Sequence, residues 1–249
     1  MDPTLYPALA RRLDESERSR HQIRQFSLEF PEMTIADGYA IQGEWVAMKL
    51  ARGRKVKGHK IGLTSKAMQY ASNIAEHEGQ LDFDPGNDES VGRDRGAIPE
   101  EHVVEEHAVV GLGRWLTGPD CTLADVLAAA DSVVPAVEIV DARIQQIDSE
   151  TKGTRKVTDT ISDNAANAGI LLGGRPFKPT EGDLRWVSAL CYRNGEIEVS
   201  GVAAAVLNHP ANGVAWLANN PGALRRGART RRSRVRRVVR EPGRGAPGR

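Results

Sequence analysis

The stretch "VVPAVEIVDARI", Val133 to Ile144, decides the fold. Its β-branched residues and period-two rhythm predict a strand with Val134, Ala136, Glu138 and Val140 on one face. An ionised carboxylate among such neighbours needs a partner, because burying it alone costs several kcal/mol. A divalent cation is one such partner and an arginine is the other. Asp141 and Arg143 share the opposite face, and their spacing predicts a structural salt bridge.

On either side the chain alternates between helical and extended patterns without βαβ regularity, so the expected class is α+β. From Thr4 to about Phe26, Leu5, Leu9 and Leu13 recur among charges, as in an exposed helix. "TIADGYAIQGEWVAMKLARG" carries a capping-box pair, Thr34 and Asp37, and stops at Gly53. Ile35, Tyr39, Val46 and Leu50 are expected to form its apolar face. "KVKGHKIGLTS" reads as a strand running into a turn, "CTLADVLAAADSVV" as a helix capped near Thr122, and "DLRWVSALCYRNGEIEVSG" as a hairpin turning at Asn194-Gly195. Leu81 to Glu101 reads as a long loop. A helix is expected near Pro210 in "NHPANGVAWLANN".

Four segments carry candidate chemistry. In "GHKIGLTSKAMQ", Lys60 lies between Gly58 and Gly62, followed by Leu63, Thr64 and Ser65. A lysine there can enter a cleft and transfer protons, with Thr64 and Ser65 offering donors. It can equally guard a sheet edge. "EEHVVEEHAVV" places Glu105, Glu106 and His107 before an apolar stretch; acids spaced by two could join Glu138 on a hard cation, or form a solvated acidic run. "TISDNAANAG" offers Ser162, Asp163, Asn164 and Asn167 as oriented hydrogen-bonding groups, or as a capped helix start. His209 is as consistent with a structural role as with a catalytic one.

Bulk properties narrow the classes. No apolar run approaches the ~20 residues of a membrane helix, and the charged N-terminus lacks a signal-peptide core. Cys121 and Cys191 have no metal-type spacing and predict reduced thiols in a cytoplasm. The net charge of +1 hides eleven arginines and one acid after Leu224, which leaves the preceding body at −9. So basic a tail could contact nucleic acid with steep salt dependence. The body carries no nucleic-acid motif, and nucleic acid is not an expected partner. A segment so rich in Arg, Gly and Pro is expected to stay disordered.

"GHKIGLTSKAMQ", "PAVEIVDARI", "DTISDNAANAGILLGGRP" and "GVAAAVLNHPANGVAWLAN", in this order, resemble the 2-oxo-alkenoate hydratases. Those enzymes are sisters of the 4-oxalocrotonate decarboxylases and distant relatives of fumarylacetoacetate hydrolase. The resemblance implies a mixed β-roll or barrel with flanking helices. Residues 1–57 would form a helical N-terminal segment, 58–220 the catalytic domain and 221–249 a basic tail. It implies Mg²⁺ or Mn²⁺, with Glu138 matching one metal glutamate and Glu105 and His107 falling where the family has a Glu-x-Glu pair. Lys60 matches the catalytic lysine and Ser162 a substrate-contacting serine; Leu63, Thr64, Ser65 and Asn164 are read as substrate-binding. Where the family has an acid/base aspartate in an "EPDYG"-like motif, this chain reads "AEHEG", and Glu78 is the nearest carboxylate. The implied substrate is a small 2-oxo dicarboxylic acid, 2-oxohept-4-ene-1,7-dioate, in aromatic catabolism. Alternatives are a five-carbon hydratase, a decarboxylase or an inactive interaction subunit. Homo-oligomers built from dimers, up to decamers, are implied as well.

Overall fold

A computed structural model describes residues 1–62, 78–83, 103–220 and 235–240. The class is α+β, as expected. Helices α1 (Tyr6–Ser19), α2 (Phe26–Glu29) and α3 (Ile35–Ala51) come first. They are followed by strands β1 (Val56–Gly62), β2 (Glu78–Phe83) and β3 (Val103–Leu116), helix α4 (Leu123–Ala129) and strand β4 (Ala130–Val140). Helix α5 (Val157–Ser162), strands β5 (Asn167–Leu172), β6 (Ser188–Arg193) and β7 (Glu196–Val202), helix α6 (Pro210–Asn219) and strand β8 (Val235–Arg240) complete the order.

Six strands form one sheet in the order β2-β1-β8-β3-β4-β5, and β6 and β7 form a separate hairpin. On a flat sheet β1 and β4 would lie about 14 Å apart, three strand spacings. Side chains that stand off one face could not meet across that span. Yet Lys60 of β1 and Glu138 of β4 touch, and the edge strands β2 and β5 approach within 8 Å at their Cα atoms. The sheet is therefore strongly curled. Its edges are not hydrogen-bonded to one another among the described residues, so no closed barrel forms there.

One face of the sheet is apolar. Ile61, Val110, Leu112 and Leu116 pack beneath α4 and α6, against Val126, Ala129, Val214 and Leu217. Both helices begin as their sequences dictate. Thr122 accepts from the Asp125 backbone N–H, while Asp125 accepts from Thr122. In α6, Pro210 occupies the first turn and His209 is the cap.

The N-terminal helices gather around Ile144, just beyond β4, with Leu9, Leu13, Phe26, Ile41 and Trp45. The Thr34–Asp37 capping box of α3 is present. Of the expected face only Val46 is buried, while Ile35, Tyr39 and Leu50 are half-buried. Ile41, Gln42, Trp45, Val46 and Lys49 are buried, because α3 is covered by α1 on one side and α5 on the other. Gly38 permits the second contact: a Cβ there would lie 2.9 Å from the Thr158 carbonyl. Buried Asp159 ties the layers together by accepting from the Ser27 backbone N–H (2.8 Å) and its hydroxyl (2.5 Å).

Three expectations are corrected. Arg143 does not pair with Asp141. Its Nε donates to Asp163 Oδ1 at 2.5 Å and its Nη2 to the Asp163 carbonyl at 2.6 Å, both groups being buried. "TISDNAANAG" holds the end of a helix rather than its start, and the chain leaves it through a left-handed turn at Asn164, Ala165 and Ala166 (φ 50°, 47° and 59°). Finally, "VRRVVR" at 235–240 lies inside the segment expected to be disordered but forms β8, parallel to β1 and antiparallel to β3. Three of its six residues are valines, and two open strand edges supply partners for its backbone.

Arg143→Ala should destabilise the protein by about 3–5 kcal/mol, since it strands the Asp163 carboxylate in the interior; urea denaturation checks this.

Candidate active site

The site is built on the inner face of the curled sheet. Lys60 follows Gly58 on β1 and points away from the helix-covered face that Ile61 occupies. Its side chain is 3% exposed, that of Glu138 is fully buried, and Lys60 Nζ lies 2.7 Å from Glu138 Oε2. Asn167 Nδ2 donates to Glu138 Oε1 at 2.8 Å. Glu138 thus has the partner that its burial demands, but this partner is a lysine rather than the arginine considered from sequence. β1 lies between β2 and β8, so Lys60 does not guard an edge.

Strand register brings further positions onto this face. Glu105 on β3 pairs directly with Glu138, and His107 pairs with Ala136. Two carboxylate-bearing positions directly opposite each other repel unless a cation lies between them. On β2, Glu78 pairs with Gly62 and Gln80 with Lys60, which puts Glu78 diagonally across from the lysine on the same face. Leu63, Thr64 and Ser65 lie outside the described residues.

Behind the pair sits the left-handed turn. Asn164 Oδ1 accepts from Gln42 Nε2 of α3 at 2.8 Å, and both are buried. Ser162 is fully buried and its hydroxyl donates to the Thr158 carbonyl at 2.8 Å. This spends the Ser162 proton inside α5, leaving the oxygen only as an acceptor. His209 Nδ1 accepts from the Ala211 backbone N–H at 3.0 Å, which gives that histidine a structural task.

Sequence reasoning missed Gln42, Trp45 and Lys49 as neighbours of the site. A glutamine and a lysine within the apolar stripe of α3 were the available signal. Asn167 was singled out as a polar residue among alanines but given no partner, because its contact with Glu138 depends on the pairing of β4 with β5.

No family model matches the chain. It is 56% identical over 223 residues to the 2-oxo-hept-4-ene-1,7-dioate hydratase of Escherichia coli, covering 88% of this chain and 82% of the relative. Identity to a 4-oxalocrotonate decarboxylase of Pseudomonas putida is 35% over 214 residues, or 85% and 78% of the two chains. The chain belongs to the 2-oxo-acid hydratase and decarboxylase family. Within this hydratase/decarboxylase family, a solved structure of the decarboxylase from Pseudomonas putida G7, complexed with magnesium and adipate, superposes with a TM-score of 0.77. It has 31% identity and covers all of this chain and 92% of its own. The same enzyme complexed with calcium and acetate gives 0.77 at 30% identity, with the same coverage. Among the described residues no helix is long and apolar enough to cross a membrane.

Two measurements test the groups around the site. His209→Ala should cost about 1 kcal/mol of stability through loss of the cap, and His209→Asn should recover most of it; thermal melts compare the two. Burial lowers the His59 imidazole to about 4, whereas in the unfolded chain it protonates near 6.5. Acid therefore protonates the unfolded chain first, and stability falls as pH drops from about 6.5 towards 4. Roughly 2 kcal/mol should be lost between pH 7 and pH 5 and largely retained in His59→Gln, as read by denaturation at the two pH values.

Proposed function

We propose that this protein adds water to 2-oxohept-4-ene-1,7-dioate, giving 4-hydroxy-2-oxoheptanedioate, as a step in aromatic catabolism. One observation carries the chemical part of the reading: a lysine and a glutamate held 2.7 Å apart and out of water on the inner face of the sheet. A lysine and a carboxylate in contact can pass a proton between them and so to or from a bound substrate.

The donor set at positions Glu105, His107 and Glu138 suits a divalent cation. Carboxylates favour Mg²⁺ or Mn²⁺, and an imidazole in place of a third carboxylate moves the preference towards Mn²⁺. When bound, the ion supplies Lewis acidity at the 2-oxo oxygen of the substrate. Once Glu138 turns its charge to the ion and no longer holds the ammonium, Lys60 gives up its proton and takes one from C3. The proton returned at C5 completes the shift of the double bond, and Glu78 shares this proton traffic. Water then adds across C3 and C4, its hydroxyl to C4 and its hydrogen to C3. Asn164 orients the substrate from the turn behind Glu138, while Ser162, an acceptor only, holds the water that adds. Leu63, Thr64 and Ser65, directly after β1, would line the approach to Lys60.

The curl of the sheet and the approach of its edges support the finer reading of a fumarylacetoacetate-hydrolase-type β-roll. Cys121 and Cys191 are both free, which suits the cytoplasm. The β6–β7 hairpin supports homo-oligomerisation. Trp186 beside it is 73% exposed, Tyr192 58% and Ile197 56%, and so apolar a surface favours coverage by a second copy.

Lys60→Ala should depress turnover by orders of magnitude, with divalent-ion affinity changed little. An ultraviolet assay of the conjugated dienoate diacid, with and without Mg²⁺ or Mn²⁺, reads the first and titration calorimetry the second. Release of CO₂ in place of hydration would assign the chain to the decarboxylase side of the family. Trp186→Glu combined with Ile197→Glu should shift the assembly to smaller species in sedimentation velocity.

A further inference from the structure

A small cavity opens between α3 and the turn behind Glu138, lined by Glu17, Trp45, Lys49, Arg54, Asn164 and Asn167. It starts one side chain from the catalytic pair, because Asn167 itself donates to Glu138. Its chemistry is rich in donors and net positive. Lys49 is 7% exposed, is held by Glu17 and lies 4.4 Å from the centre of the Trp45 ring. The Arg143 guanidinium lies 4.9 Å from the same ring. Burial depresses the Lys49 ammonium and Glu17 supports it, while Arg143 and Arg54 add repulsion; the three cations are close enough to feel one another. The Trp45 indole N–H is buried and has no acceptor among the described residues. A buried donor of this kind is uncommon and calls for an acceptor. An ammonium has three N–H donors, so engagement with Glu17 leaves Lys49 able to hold a second oxygen.

We propose that this cavity receives the far carboxylate of a dicarboxylic substrate, on Lys49, Arg54 and the Trp45 indole N–H. The inference rests on the proposed reaction for the identity of that substrate. With the 2-oxo end at Glu138 and Lys60, the rest of the molecule runs past Asn167 into the cavity. The cavity then discriminates a seven-carbon diacid from a five-carbon monoacid. The monoacid would leave the indole donor without an acceptor and would bring no second oxygen to Lys49 or Arg54.

The test uses two 2-oxo acids that lack the double bond and cannot react, 2-oxoheptanedioate and 2-oxopentanoate, titrated calorimetrically into full-length Mn²⁺-loaded protein. Wild type should bind the diacid about tenfold or more tighter than the monoacid. Arg54→Ala and Lys49→Met should each weaken the diacid by about tenfold while changing the monoacid less than twofold, and Lys49→Arg should restore diacid binding. Arg54 is only part-buried, so its variant keeps the test open if Lys49→Met does not fold. Equal affinity of wild type for the two acids, or parallel losses for both in the variants, overturns the proposal. Diacid preference that depends on Arg54, without any water addition to the unsaturated diacid, sinks the proposed reaction and leaves this site standing. Hydration of five- and seven-carbon substrates with equal kcat/KM in wild type and Arg54→Ala does the reverse.

Discussion

The structure turns on one buried ion pair, Lys60 with Glu138. Neither group could remain charged alone where it sits, since desolvation of each costs several kcal/mol that only close attraction and further hydrogen bonds offset. The attraction requires β1 and β4, three spacings apart in the sheet order, to face each other. Curl in the sheet makes that possible. The other requirements follow from it: helices must cover the outer face to keep the sheet dry, and an amide must satisfy the second glutamate oxygen, which Asn167 does.

The N-terminal helices are a wall of the site as much as a separate unit. α3 packs through Gly38 and Ile41 and presents Gln42, Trp45 and Lys49 to the turn behind Glu138. Three consecutive left-handed residues with side chains are unfavourable in isolation, by roughly 1–2 kcal/mol each. Surrounding bonds hold them in place: Arg143 grips Asp163 just before the turn, and the Ala166 carbonyl accepts from the Asp141 backbone N–H. That strained turn leads straight into Asn167, which donates to Glu138, so the Arg143–Asp163 bond supports the Lys60–Glu138 pair from a distance.

Membership of the hydratase and decarboxylase family fits this arrangement without deciding the reaction by itself. A lysine and a glutamate in contact are chemically able to move protons in hydration and in decarboxylation alike. Where the branches can differ is in what the walls of the site offer to the rest of the substrate. In this chain the wall is α3 and the segment just after it, with Trp45, Lys49 and Arg54 lining a small cavity.

Local pattern alone determined a good part of the molecule. The capping boxes at Thr34 and Thr122, the turn at Asn194-Gly195, the helix from Pro210 and the β4 strand are legible because each depends on neighbours a few residues away. The demand for a partner at Glu138 was legible too, since a carboxylate in an apolar alternation can be read from the strand itself. What satisfies it was not. Lys60 stands 78 positions earlier in the chain, and only the curl of the sheet and the strand order bring its ammonium to that carboxylate. The same holds for Arg143 choosing Asp163 over Asp141, for the stripe that α3 buries, and for an arginine-rich segment entering the sheet as β8. In each case the deciding contact joins residues distant in sequence, and its energy comes from desolvation and from strand edges that exist only once the chain has folded.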